Sequence, residues 1–389
     1  MMDPDIAVAG GGIAGLTAAL LLSRAGRNVS LFERCPTFAE AGAGLQLSPN
    51  AGRILDNLGL GPALDRVATR PVAIEIRAMT SGRLVVSLPL ADAARRHGAP
   101  YRLVHRADLQ AILLEAVRSD HGIAVMTSAS VDAIAETAVG VTFSAAGSIR
   151  RADILLGADG VRSATRAFVG GGPAEPTGRT AWRVTIPAAV APKTLPRDRV
   201  TVFLGERSHV VVYPIRSARE INVVAIIEEE WDGAGWSQAG DAATIEARFR
   251  DAAGELAALI GVGLNWARWC LCGVDALGPW RRGRVALLGD AAHAMLPFLA
   301  QGAAMAIEDA AVLARLLLGH DMPTEIALDR YVAARRQRTA RVAKVARQSG
   351  AIYHMSPLAA PFRDAAMKAL GGERLLARYD WIHGWKQAG

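Results

Sequence analysis

The feature that most limits what this chain can fold into lies near its start. Residues 5–9 form a short apolar run, followed by Gly10-Gly11-Gly12-Ile13-Ala14-Gly15 and an apolar, alanine-rich segment to about Ala25. Residues 29–32 are apolar again and end at Glu33. This order predicts strand, glycine turn, helix and second strand, with G-x-G-x-x-G in the turn and an acid about 20 residues further on. Gly10 permits the tight turn, Gly12 lets a pyrophosphate approach, and Gly15 allows the helix to sit close to the strand. Glu33 accepts from ribose hydroxyls. Ile13 and Ala14 at the helix start, and Arg34 beside the acid, belong to the same predicted contact. The glycines alone are a weak signal; in this context they predict a bound dinucleotide.

Two later stretches share the pattern of an apolar strand broken by an acid. In residues 152–160 the strand ends at Asp159-Gly160, and Arg162, Ser163 and Arg166 follow at a helix start. In residues 284–309 the strand 285–288 breaks at Gly289-Asp290, an irregular segment carries Pro297, and a small-residue helix begins at Gly302. Asp290 is an acceptor placed to take a ribitol or ribose hydroxyl. Gln301-Gly302-Ala303 at a helix start leaves backbone N–H groups free for an electron-rich ligand atom. Read alone, this stretch is equally a buried strand, a turn and a core helix. Residues 40–50, with Gly44 and Gln46, make a glycine-rich loop that passes close to a flat ligand or forms a plain surface turn. Arg106 opens an amphipathic helix and suits a diphosphate; a surface salt bridge with Asp108 is an equal alternative.

Composition narrows the class. A chain of 389 residues that is 51% hydrophobic, without a biased tract, reads as a folded globular protein. Its apolar runs break too early to span a bilayer, so no stable membrane association is expected. The apolar start is the glycine-turn strand itself, with no basic leader before it. Three cysteines give an odd count without a metal-site framework, which suits a reducing cytoplasm. Cys270 and Cys272 fall in an alternating run and read as packing. The formal net charge of +7 comes with no nucleic-acid recognition motif. A basic surface that attracts an anionic cofactor and substrate accounts for it.

With Gly10–Gly15 and Glu33, then GADGVRS at Gly157–Ser163, then GDAAHAMLP and QG within Gly289–Gly302, the chain resembles the single-component FAD-dependent aromatic hydroxylases. This group contains the p-hydroxybenzoate, salicylate and 3-hydroxybenzoate hydroxylases. The resemblance implies an α/β fold: a Rossmann-type FAD-binding domain, an inserted mixed-sheet substrate domain and a helical C-terminus. The implied boundaries are residues 1–177 and 281–320 for the FAD-binding domain, with some strands of the first part on the substrate side. Residues 178–280 form the substrate sheet and residues 321–389 the C-terminal helices. It further implies that Asp159 helps hold FAD, that Asp290 binds its ribityl region and that Arg106 binds its pyrophosphate. Gly302 and Ala303 would meet the carbonyl edge of the isoalloxazine, with Pro297 nearby, and the loop 42–46 would flank the ring. NADH or NADPH would act as a transient co-substrate, since no second glycine motif is present. Dioxygen would add at the flavin C4a and pass its distal oxygen to an electron-rich ring.

Residues 178–280 are rich in alternating strands, a sheet suited to covering the flavin and lining a pocket. In His209-Val210-Val211-Val212-Tyr213-Pro214, His209 and Tyr213 share one face with Val211 between them. A histidine on a strand is commonly structural. In the branch acting on hydroxybenzoates and hydroxypyridines, the resemblance gives this pair the ring hydroxyl. Phe298 and Gln46 stand where some hydroxypyridine-carboxylate hydroxylases carry histidine, so hydroxynicotinate is not assigned. His293 reads as structural. Arg335, Arg336, Arg338, Arg341, Lys344 and Arg347 read as the solvated face of a long helix, and the aromatic tail 379–385 as packing on the body or on a second subunit. The expected protein is a monomer or homodimer that hydroxylates a small phenolic or hydroxy-heteroaromatic acid. The alternatives are another flavin monooxygenase or oxidase (tetracycline-type or ubiquinone-pathway), and a non-catalytic flavin-binding protein.

Overall fold

The structure, a computed structural model, describes residues 6–38, 43–233, 235–318 and 322–387. Asp5 and Gly42, which bound two of the stretches above, lie outside them. Strand Ile6–Ala9, helix Ile13–Arg24 and strand Val29–Phe32 form the predicted βαβ unit, and every residue of both strands is buried. Such continuous burial is what a parallel sheet covered on both faces requires. Ile6–Ala9 lies parallel between Val29–Phe32 and Ile154–Gly157, and Ile154–Gly157 pairs parallel with Val285–Leu287. Ile123–Met126 extends the sheet beyond Val29–Phe32, and the two-residue strand Arg281–Arg282 closes the other edge antiparallel. The three sequence motifs therefore leave the same end of three adjacent strands. Ligands of open α/β sheets bind along that carboxyl-end edge.

A second sheet of eight strands is antiparallel apart from one parallel pair, Val200–Gly205 beside Ala73–Ala78. It draws on Ala73–Ala78 and Leu84–Pro89 as well as on strands between Glu175 and Gly273. Its alternation divides its two faces. Trp182, Val184, Val210, Val212, Val223 and Ala225 join Leu256, Leu259 and Ile260 of helix Gly254–Gly261 in one apolar core. The opposite face carries Arg183, Val224, Val211, Val202 and Ile76 as one cross-strand row. His209 and Tyr213 flank Val211 on that face, as the period of two demands.

Helix Thr324–Tyr353 runs for 30 residues. Its basic run is not simply a solvated face. Arg335 is buried, pairing through Nε with Asp309 Oδ1 and through Nη1 with Glu308 Oε2, each at 2.7 Å. Arg338 adds two more contacts to Glu308, while Arg341, Lys344 and Arg347 remain exposed. Burying a guanidinium demands paired carboxylates, and helix Gly302–Leu316 supplies them. The tail packs back on the body: Trp385 stacks on Arg335 and Arg338, and Trp381 lies 3.9 Å from the Arg341 guanidinium.

Candidate active site

The two sheets face each other across two cavities of about 380 and 560 Å³. Both are walled by Gly12, Arg106, Asp290 and Pro297, so they meet at the edge where the motif strands end. The larger is lined by Gly10, Glu33, Arg34 and Asp159. The smaller is lined by Ile13, Ala14, Gly44, Gln46, His209, Val211, Tyr213, Phe298, Gly302 and Ala303. Gly15 lines neither. A Cβ there would fall 1.9 Å from the Gly10 carbonyl oxygen, so its role is the close packing of helix on strand.

The larger cavity has the chemistry of a dinucleotide trough. A Cβ on Gly12 would meet nothing within 4 Å, so its missing side chain opens space to the cavity. The Glu33 carboxylate is held at the strand end by the backbone N–H groups of Gly11 (2.7 Å) and Cys35 (2.9 Å), and both oxygens keep acceptor capacity. Asp159 uses Oδ2 to accept from the backbone and hydroxyl of Thr165. Its Oδ1 is buried with no hydrogen-bond partner, an acceptor waiting for a donor such as a ligand hydroxyl. Arg166, noted above at a helix start, holds Val161 O and Ala291 O and so ties the second motif to the third. Gln110 donates to Gly11 O. Asp108 is taken by Arg216 at 3.1 and 3.2 Å. These residues fit FAD: a glycine opening for the diphosphate, and the lining carboxylates of Glu33, Asp159 and Asp290 to accept from hydroxyls.

A buried polar net supports the helix start beside the smaller cavity. Gln301 donates to Ser48 Oγ (2.9 Å) and accepts from Asn50, which also bonds Glu308 (2.7 Å). His293 is wholly buried, 2.5 Å from Asp309 Oδ2, and lines neither cavity. The stretch expected as a loop is a strand, Gly44–Leu47, paired antiparallel with Arg102–His105. Gly44 donates its N–H to Asn222 (2.6 Å), and a Cβ there would strike the Tyr213 ring at 2.6 Å, so only glycine lets this strand lie on the sheet.

In the smaller cavity, His209 is 1% exposed and packs on Phe298, Tyr353 and His354 with ring centroids 5.1–5.4 Å apart. Its Nδ1 lies 2.9 Å from His354 Nε2, whose Nδ1 lies 3.0 Å from Glu228 Oε1. Burial, then the nearby His354, pushes the His209 pKa well below the ordinary imidazole value. Burial likewise raises Tyr213 and Tyr101, so both phenols stay protonated donors. Tyr101 donates to Gln46 Oε1 at 2.8 Å. Arg183 lines both cavities; its Nε is buried with no hydrogen-bond partner, and burial followed by the charge of Arg106 lowers its pKa. Tyr353, Tyr379, Ile382 and His383 from the C-terminal helices wall the outer side.

Sequence reasoning missed Arg183, Tyr101, Tyr353 and His354. Arg183 falls on the polar phase of the alternating run at residues 182–186, where a charge reads as solvated rather than as a cavity residue.

The family signature described as an FAD binding domain matches residues 3–346. The chain is 39% identical over 388 residues to 3-amino-4-hydroxybenzoate 2-monooxygenase PtmB3 of Streptomyces platensis, covering 99% of this chain and 97% of that protein. It is 36% identical to 3-hydroxybenzoate 6-hydroxylase 1 of Aquipseudomonas alcaligenes, covering 98% of each. A salicylate hydroxylase substrate complex superposes with a TM-score of 0.83 at 28% identity, over 99% of this chain and 96% of that one. Klebsiella pneumoniae HpxO complexed with FAD and uric acid does so with a TM-score of 0.84 at 28% identity, over 96% and 95%. No helix among the described residues is long and apolar enough to cross a membrane. A glycine-turn trough that fits FAD, joined to a cavity roofed by a mixed sheet, agrees with these likenesses: the chain belongs to the class A FAD-dependent aromatic hydroxylase family and is an FAD-dependent aromatic monooxygenase.

Proposed function

We propose that the substrate is a small carboxylated phenol, bound in the smaller cavity with its hydroxyl at His209. The observation that carries this reading is the face of the second sheet: a neutral imidazole and a phenol flank an apolar strip ending in a guanidinium. Val211, Val224 and Val202 offer an aromatic ring a flat apolar bed. Arg183, a cavity-lining cation whose Nε lacks an acceptor, is complementary to a carboxylate on that ring. His209, held neutral, accepts from the ring hydroxyl, and a phenolate is the stronger carbon nucleophile. Tyr213, held protonated on the far side of Val211 and beside Arg183, donates toward the carboxylate end of the ring. Phe298 and Tyr353 pack around His209 and keep water from the reacting edge. When bound, FAD supplies reduction by NADH or NADPH and activation of dioxygen. Gly12, Glu33, Arg34, Arg106, Asp159 and Asp290 would hold it, with Gly302 and Ala303 against its ring.

The two relatives compared by sequence are named for hydroxybenzoates, which supports a carboxylated ring. Phe298 and Gln46 supply no imidazole, which favours a phenol over a hydroxypyridine acid. Three unpaired cysteines suit the cytoplasm, where a monomer or homodimer would work on diffusible NAD(P)H and dioxygen. A panel of hydroxybenzoates, aminohydroxybenzoates and their decarboxylated counterparts, scored for stimulated NAD(P)H oxidation, tests the assignment. Stimulation by the acids well above that by the phenols is expected. Equal stimulation by both would remove the carboxylate from the account.

A further inference from the structure

One buried chain of titratable groups leads away from the smaller cavity. It runs from His209 through His354 to Glu228, with contacts of 2.9 and 3.0 Å. His354 is 7% exposed, and the Glu228 side chain is 25% exposed, so the chain ends at water. Arg179 lies 2.9 Å and Arg207 3.7 Å from Glu228; Tyr353 and Phe298 close around His209.

The carboxylate sets the direction of every bond in this chain. An ionised carboxylate only accepts, so His354 Nδ1 carries the hydrogen toward Glu228. Burial keeps both imidazoles neutral, which leaves His354 Nε2 bare and makes His209 Nδ1 the donor to it. The remaining lone pair of His209 is then on Nε2, on a ring that lines the cavity. A base so buried accepts a proton poorly unless it passes one on.

We propose that His209, His354 and Glu228 form a proton relay from the bound ring's hydroxyl to bulk water. The inference rests on the placement of that hydroxyl at His209. The hydroxyl O–H bond breaks as His209 Nε2 gains the hydrogen, and the oxygen keeps the electron pair. The Nδ1 hydrogen of His209 moves to His354 Nε2, and the Nδ1 hydrogen of His354 moves to Glu228. The carboxyl then loses its proton to water. Neither imidazole ends charged, and both end in the other tautomer. A proton travelling inward to the product's oxygen on release restores them. His354 and Glu228 are positioning residues acting through His209.

The test mixes oxidised holoenzyme with 3-hydroxybenzoate, and separately with 3-amino-4-hydroxybenzoate, without NAD(P)H. A pH-indicator dye and phenolate absorbance are followed in stopped flow across a pH series. The wild type is expected to release a proton as the ring binds. Glu228→Gln keeps an acceptor for His354 but cannot take its proton. It should slow release by about tenfold or more, at unchanged FAD affinity, and Glu228→Asp should restore the rate. His354→Gln should do the same; if it fails to fold, Glu228→Gln at the surface decides alone. Wild-type release rates and pH profile in Glu228→Gln would overturn the relay. If His209→Ala then abolishes release, the base assignment survives without the relay. Normal release in His209→Ala, or no release from either phenol in the wild type, would overturn both.

Discussion

At the scale of single residues, burial decides what His209 and Tyr213 do. Both lie on one strand face in the same cavity, yet burial moves their proton equilibria in opposite directions: the imidazole is held neutral and the phenol protonated. Set on either side of Val211, the acceptor His209 and the donor Tyr213 offer different chemistry to the two ends of a ring lying along the strand. His209→Ala should leave FAD bound and lower the hydroxylation rate by roughly 10²–10⁴-fold, the usual range for a general base. Steady-state turnover with the flavin content measured in parallel checks this, and unchanged turnover would dismiss the role. Buried histidines also set an acid limit on stability. Burial, then the neighbouring His97, lowers His383 from 6.5 to about 4. The unfolded chain takes up a proton below about 6.5 that the folded protein refuses until about 4. Stability is thus unaffected above that window and falls as pH drops through it, with His209 and His354 acting in the same sense. Melting temperatures across the window should decline with acid, and His383→Asn should flatten the slope. An equal slope in the variant would contradict the assignment.

At the scale of elements, the motifs were legible because each is a local pattern, an apolar strand broken by glycine and an acid; that their strands lie side by side is long-range pairing that no local pattern supplies. The strip from His209 to Tyr213 was legible because a strand's period fixes which side chains share a face. What escaped was set by partners distant in sequence. Arg335 looked like part of a solvated stripe, since nothing within its own helix reveals that Glu308 and Asp309, from the preceding helix, bury it. His354 follows a long helix and gains meaning only when that helix end meets the strand carrying His209. Arg183 pointed to the cavity rather than to the helices behind the sheet, a choice that depends on how the strand docks. The Arg335 cluster also ties the C-terminal helix to the third motif, because Asp309 holds both the backbone of Gly289 and the ring of His293. Arg335→Met leaves two buried carboxylates short of a partner and should cost about 3–5 kcal/mol. Urea unfolding of the holoenzyme measures it, and a loss under about 1 kcal/mol would place the cluster's weight elsewhere.

At the scale of the whole molecule, three parts that are remote in sequence share one junction. The parallel sheet delivers Gly12 and Asp290, the mixed sheet delivers Arg183 and His209, and the C-terminal helices close the outer wall through Tyr353, Tyr379 and Ile382. The cofactor trough and the ring cavity meet there, so FAD's ring edge and a substrate ring would be neighbours. Turnover of holoenzyme with NAD(P)H, isotopically labelled dioxygen and 3-hydroxybenzoate or 3-amino-4-hydroxybenzoate, followed by mass analysis of the product, tests this most directly. The account predicts a product ring carrying a single labelled oxygen atom as a new hydroxyl. Oxidation of NAD(P)H that yields only labelled peroxide, with these acids and with every other carboxylated phenol of the panel, would contradict it.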